Sequence, residues 1–309
     1  MPTPIPDAEP TARIARAGGV PSRMRIHIVF LCALLAADLA AAERPVVLGH
    51  LPVAAKHIAV FGQDIVYYEA GSGRALVLLC NLGWDSDAWS QNFSELAKHS
   101  HVLAVDLLGI GKSAKPLIDY KMDTWTDVIA EFLRLKHIDK ATVAGAVMGG
   151  ALAVQFALDH PELSDGLVCA ASNSGPGKHE GGSAGLSAPS LAGVRQSLLR
   201  VFFDKSLVTE ELVRARFASR LAAGDGYTIQ RHLSDHRAPY MPQELARIHV
   251  PALFVWCRED EVTPLSWGQD FAAAVPGAKL AVLDRCGHLP NLEQPKQFND
   301  AVIAFLGGK

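Results

Sequence analysis

The pentapeptide Gly181-Gly182-Ser183-Ala184-Gly185 spells Gly-x-Ser-x-Gly, the pattern that exposes a nucleophilic serine when a strand runs into it and a helix leaves it. Neither flank is present here. No strand pattern precedes it and no helix follows at once. It lies in the run from Ser174 to Ser190, which holds five glycines, so flexibility is the simpler account. The required setting occurs instead at Ala141 to Asp159, where an apolar strand pattern reaches Gly145-Ala146-Val147-Met148-Gly149-Gly150 and a helix pattern follows. The side chain such a turn pushes upward is Val147. An aliphatic group has no lone pair to attack a carbonyl, so no acyl-enzyme can form there. Cys80, at the end of the apolar run Ala75 to Leu79, is a thiolate nucleophile if a neighbour lowers its pKa and a packing residue otherwise.

These positions need a scaffold, and the pattern from His57 onward predicts one. Short β-rich runs fall at Ile58 to Phe61, Ile65 to Glu69, Ala75 to Leu79, Val102 to Asp106, Ala141 to Gly145, Gly166 to Ala170, Ala252 to Cys257 and Lys279 to Leu283. The first two flank a Gly62-Gln63-Asp64 turn. Helical patterns fall at about Trp84 to Lys98, Asp123 to Leu135, Met148 to Asp159, Ser266 to Ala274 and Pro295 to Leu306. Strands alternating with helices of this length imply βαβ units in an α/β, doubly wound, mostly parallel eight-stranded sheet. One stretch breaks the rhythm. About residues 175–246 open with the Gly-rich loop and continue as helix-like segments, Leu191 to Asp204 and Glu210 to Ala223, which reads as a helical lid over the C-terminal edge of the sheet.

Five segments in order resemble the α/β-hydrolase superfamily. They are Leu76 to Gly83, Val105 to Ser113, Gly145 to Gly150, Trp256 to Pro264, and Cys286-Gly287-His288 through Pro295. The resemblance runs from about His57 to the C-terminus and implies the α/β-hydrolase fold. It makes Asp260 the acid and His288 the base of a triad, with the backbone N–H groups of Leu82 and Met148 as oxyanion donors. It places Cys80, Asn81, Trp84 and Ala146 around the pocket. The chain departs from the family at Val147, where most members carry Ser, at Ala146 just before it, and at Cys80-Asn81, which replace His-Gly.

Composition sets the outer bounds. With 29 Lys+Arg against 32 Asp+Glu in 309 residues, the chain has no basic field for a phosphate backbone, so no nucleic-acid partner is expected. Residues 1–42 differ from the rest. A Pro-rich stretch to Ser22 reads as disordered. Arg23-Met24-Arg25, the apolar run Ile28 to Ala37 and the string Ala40-Ala41-Ala42 then read as a secretory signal peptide, with Met24 an alternative start. The expected products are an exported, periplasmic or secreted domain over 43–309 and no stable membrane span after cleavage. Cys80, Cys169, Cys257 and Cys286 match no zinc spacing. Cys257 and Cys286 end neighbouring elements and could pair in an exported chain.

The functional expectation is an enzyme acting on a small apolar carbonyl- or ester-type compound through His288 and Asp260, without a serine acyl-enzyme, a cofactor or a metal. Two other readings stand beside it. One is an inactive relative that binds or senses an apolar ligand; the other is an unconventional esterase using Cys80 or a lid serine. Leu198, Val201, Phe202, Phe203, Phe217 and Tyr227 in the lid suit an apolar ligand, although helix packing accounts for most such residues.

Overall fold

A computed structural model describes residues 49–176, 190–221, 225–234 and 240–308. Residues 1–42, read above as a leader, and the Gly181 to Gly185 pentapeptide lie outside them. Eight strands form one sheet: β1 (Lys56–Val60), β2 (Gln63–Ala70), β3 (Ala75–Leu79), β4 (His101–Val105), β5 (Ala141–Ala146), β6 (Ser164–Ala170), β7 (Ala252–Cys257) and β8 (Lys279–Leu283). Their order is β1-β2-β4-β3-β5-β6-β7-β8. The β1-β2 and β2-β4 pairs are antiparallel and the rest parallel.

Burial follows from this order. Strands β3, β5 and β7 are buried at every residue, because helices cover both faces, and that is why they read as continuous apolar runs. In β3 the pleat sends Val77 and Leu79 to one core, with Trp125, Ile129 and Phe156, and sends Leu76 and Leu78 to the other, with Phe93, Phe298 and Val302. Edge strand β1 is mostly exposed.

The β1-β2 turn sits one residue earlier than expected. Val60 pairs with Gln63, leaving a two-residue loop of Phe61 and Gly62, both at positive φ (50° and 75°). That is the sense of turn whose twist matches a hairpin.

The helices are α1 (Phe93–Leu96), α2 (Met122–Leu135), α3 (Met148–Asp159), α4 (Leu191–Val201), α5 (Glu210–Leu221), α6 (Asp225–Ser234), α7 (Pro242–Leu245), α8 (Leu265–Ala274), α9 (Pro290–Glu293) and α10 (Pro295–Gly307). The helix expected over Trp84 to Lys98 is replaced by a 3-10 turn, Ser86–Trp89, and the single turn α1. Polar groups in the segment bind elsewhere instead of continuing a helix. Ser86 N donates to Asp106 Oδ1 at 2.8 Å, and Asn92 Nδ2 donates to Asn299 Oδ1 at 2.9 Å.

Helices α4 to α7 all fall between β6 and β7, as a helical insertion. It is held by its own apolar cluster, in which Val194, Leu198, Val201, Phe202, Leu212 and Val213 pack with Val147, Leu289 and Leu292 of the sheet side. No helix among the described residues is long and apolar enough to cross a membrane.

Cys257 and Cys286 form a disulfide, joining the end of β7 to the loop after β8. It closes a segment with a sequence separation of 29. Loop-closure entropy for such a length is worth about 3–4 kcal/mol. The double variant Cys257→Ser/Cys286→Ser is expected to lose about that much in denaturant unfolding. An unchanged midpoint would show that the crosslink contributes nothing to stability.

Candidate active site

The parallel strands end along one edge, and the chain reverses its direction of winding between β3 and β5, where open α/β sheets form a crevice. The β5-α3 turn is the tightest part of it. Glycine is required on steric grounds, since a Cβ on Gly145 would lie 2.0 Å from the Gly149 carbonyl oxygen. A Cβ on Gly149 would lie 2.4 Å from the Leu79 carbonyl oxygen. This close approach forces the intervening residue out of ordinary backbone space. Val147 sits at φ 56°, ψ −111°, a region that costs a β-branched residue about 1–3 kcal/mol. The turn thus keeps the strained form that displays a nucleophile, while displaying an isopropyl group buried against the insertion.

Asp260 and His288 arrive from the loops after β7 and β8. His288 Nδ1 and Asp260 Oδ2 are 2.9 Å apart, and both side chains are buried. Asp260 Oδ1 accepts from Val262 N at 2.8 Å and Thr263 N at 2.9 Å, and Thr263 Oγ1 donates to Oδ2 at 2.9 Å. These bonds satisfy the carboxylate and fix its plane. With Nδ1–H given to Asp260, His288 keeps Nε2 as its proton acceptor.

The amides of Leu82 and Met148, expected as oxyanion donors, converge on one atom. Leu82 N donates to Asn81 Oδ1 at 2.8 Å and Met148 N to the same oxygen at 3.4 Å. Cys80, Asn81, Trp84 and Ala146 line a small cavity with Trp89, Leu289 and Asn291. The Cys80 thiol is fully buried, and burial with Asp106 and Asp85 nearby pushes its pKa well above the ordinary value. The negligible thiolate population near neutral pH argues against it as a nucleophile.

Arg216 is a site residue that sequence reasoning missed. On α5 it follows Leu212 and Val213 by one helical turn, so it shares their inward face. Its guanidinium lies 4.3 Å above the Trp84 ring and Nη1 donates to Gly83 O at 3.2 Å. Its buried Nε has no hydrogen-bond partner. Burial lowers its pKa, an effect opposed by Asp85, Asp87 and Asp225. Arginines at 216 and 220 on the helix face that also carries Leu212 and Val213 were the available signal.

Glu293 ties the histidine loop to the insertion. Its Oε1 accepts from Gly287 N at 3.0 Å and Leu289 N at 3.1 Å, and Oε2 accepts from Phe203 N at 2.7 Å. His288 N itself donates to Val201 O at 2.7 Å. No cluster of potential metal ligands occurs among the described residues.

This strand order, strained turn and buried carboxylate-imidazole pair define a class, and the chain belongs to the alpha/beta hydrolase family, which matches residues 76–301. Within that family its similarities gather in one branch. It is 31% identical over 259 residues to a 2-hydroxy-6-oxononadienedioate/2-hydroxy-6-oxononatrienedioate hydrolase of Paraburkholderia phymatum, covering 78% of this chain and 90% of that one. It is 27% identical over 266 residues to a 2-hydroxy-6-oxo-6-(2'-aminophenyl)hexa-2,4-dienoic acid hydrolase of Metapseudomonas resinovorans, covering 79% and 88%. A solved meta-cleavage product hydrolase of Pseudomonas fluorescens superposes with a TM-score of 0.76 at 27% identity, over 82% of this chain and 97% of that one. The chain is thus an α/β hydrolase related to meta-cleavage product hydrolases.

Burial raises the Glu293 pKa from 4.5 to about 7, against the lowering effect of its three backbone donors. The folded state therefore keeps a proton that the unfolded chain has released. Stability from this group is fully present below about pH 4.5 and is lost as pH rises toward 7. Glutamine cannot ionise, so the unfolding midpoint of Glu293→Gln relative to the parent should shift in the variant's favour from about pH 5 to about pH 8. Parallel pH curves would contradict this assignment.

Proposed function

We propose that the chain is an enzyme using His288 and Asp260 as a general base on a small carbonyl compound that also bears a carboxylate, with no covalent acyl intermediate. The observation that carries this reading is the buried pair itself, His288 Nδ1 to Asp260 Oδ2 at 2.9 Å, kept and fully hydrogen-bonded beside a turn that has lost its nucleophile. In the favoured reaction the substrate reacts as its 2,6-diketo tautomer, formed when the 2-hydroxyl proton moves to the carbon beside the 6-ketone, and His288 Nε2 takes a proton from water as the oxygen adds to that ketone carbon. Asp260 stabilises the imidazolium, the C–C bond beside the former carbonyl breaks, and the departing carbon fragment leaves as a dienolate that recovers the proton. Water supplies the hydroxyl of the new carboxylic acid, so atoms balance without a cofactor.

Arg216 supports the carboxylate half of the proposal. A buried guanidinium stacked on a cavity-lining tryptophan, with Nε unpartnered, offers the charge and the free donor that a carboxylate would use. The names of the relatives, dienoic and dienedioate hydrolases, agree with such a substrate.

Val147 favours a second reading as a ligand-binding protein, because its packing into the insertion closes the cleft with apolar surface. The two readings part on turnover. Purified protein should cleave a 2-hydroxy-6-oxo-dienoate over many turnovers, and His288→Ala should lower kcat/KM by about 10²–10⁴-fold. Binding without turnover would establish the second reading, and turnover untouched by His288→Ala would sink the first.

We also propose export. The Cys257–Cys286 disulfide supports it, since such bonds persist in oxidising compartments. Expressed from the full sequence in a bacterium with a secretory pathway, the protein should be recovered from the periplasm or medium beginning at Glu43. Retention of residues 1–42 in a cytoplasmic product would refute it.

A further inference from the structure

The geometry points to Asn81 as a built-in occupant of the oxyanion hole, which an anionic oxygen displaces and a neutral ester carbonyl does not. Asn81 therefore sets the specificity of the site. Leu82 N and Met148 N approach a single acceptor at 2.8 and 3.4 Å, and that acceptor is the Asn81 side chain of the same loop. Two amides converging on one oxygen, one of them at the N-terminus of the twelve-residue helix α3, is the arrangement that stabilises negative charge on a substrate oxygen. Here a carboxamide already fills it.

The occupant is fixed by its own turn. Trp84 N donates to Asn81 O at 3.1 Å, and Gly83 takes φ 73°, closing a four-residue turn. Arg216 holds that turn from above through Gly83 O. An amide oxygen is a stronger acceptor than an ester or ketone oxygen, and it is tethered, so a neutral carbonyl gains little by exchanging with it. A full negative charge changes the balance, because charge-assisted bonds are about twice as strong as neutral ones. The ligand class that opens the hole is thus an enolate or dienolate. Asn81 and Val147 act on one site together: Val147 offers no attacking group, and Asn81 covers the donors that would hold such a group's product.

This inference rests on the hole and not on His288 acting as a base, and the test separates them. Amide NMR of the uniformly ¹⁵N-labelled protein reads the hole directly. In Asn81→Gly the Leu82 and Met148 amide protons should move upfield and exchange with solvent about tenfold faster or more, while amides remote from the loop stay in place. Unchanged Leu82 and Met148 signals would overturn the assignment. A second arm uses 4-nitrophenyl acetate. Val147→Ser alone should remain nearly inert, and Val147→Ser/Asn81→Gly should hydrolyse the ester about 10²-fold faster, the scale of recovering an oxyanion-hole donor. A Val147→Ser single variant that already hydrolyses the ester as fast as the double variant would also overturn it. Altered amides with an inactive double variant would support the Asn81 assignment and count against the His288 dyad as a working base.

Discussion

The architecture of the site follows from how closely helix α3 crosses the ends of β3 and β5. Gly145 and Gly149 allow a separation that no other residue permits, and the crossing fixes the conformation of Val147 whatever its side chain. It also brings Met148 N toward the β3 loop, so the pair of convergent amides is a property of the backbone. The electrostatics of the site therefore do not depend on which side chain stands at position 147. What the two loop substitutions change is which atoms face that field.

Much of this was legible in the sequence, for identifiable reasons. The parallel strands announce themselves as continuous apolar runs because helices bury both of their faces, as in β3 and β7. The turn at Val147 is visible because a strand, a glycine-rich turn and a helix are each locally encoded. The failures occur where distant partners override local preference. Trp84 to Lys98 has helical composition, yet Asp106 and Asn299, remote in sequence, draw its polar groups away from a helix. Arg216 was passed over because its contact with Trp84 joins two segments that no periodicity connects. The Cys257–Cys286 pairing stayed open for the same reason, and the contact between Asn81 and the two amides depends on a side-chain rotamer that no pattern specifies.

Chemically, the site combines features that usually exclude one another. A fully satisfied Asp-His pair is a feature of catalysis, whereas an apolar residue at the turn and a filled hole are features of a silent pocket. The combination is coherent for a substrate whose own acidity supplies the negative charge. Under the proposed function, such a compound needs a proton acceptor and a cation for its carboxylate more than it needs a nucleophile, the two parts given there to His288 and Arg216.

The insertion is moored differently along its two margins. Where α4 ends, a main-chain bond from His288 N to Val201 O joins it to the histidine loop, and beside it Phe203 N donates to the Glu293 side-chain carboxyl. The opposite margin is held by side chains, Arg216 on Gly83 O and Thr228 on Gly109 O. Side chains can rotate away while the helices stay folded, and main-chain bonds cannot. The backbone of His288 is thus tied directly to the insertion, whereas the margin beside Trp84 depends on the rotamers of Arg216 and Thr228.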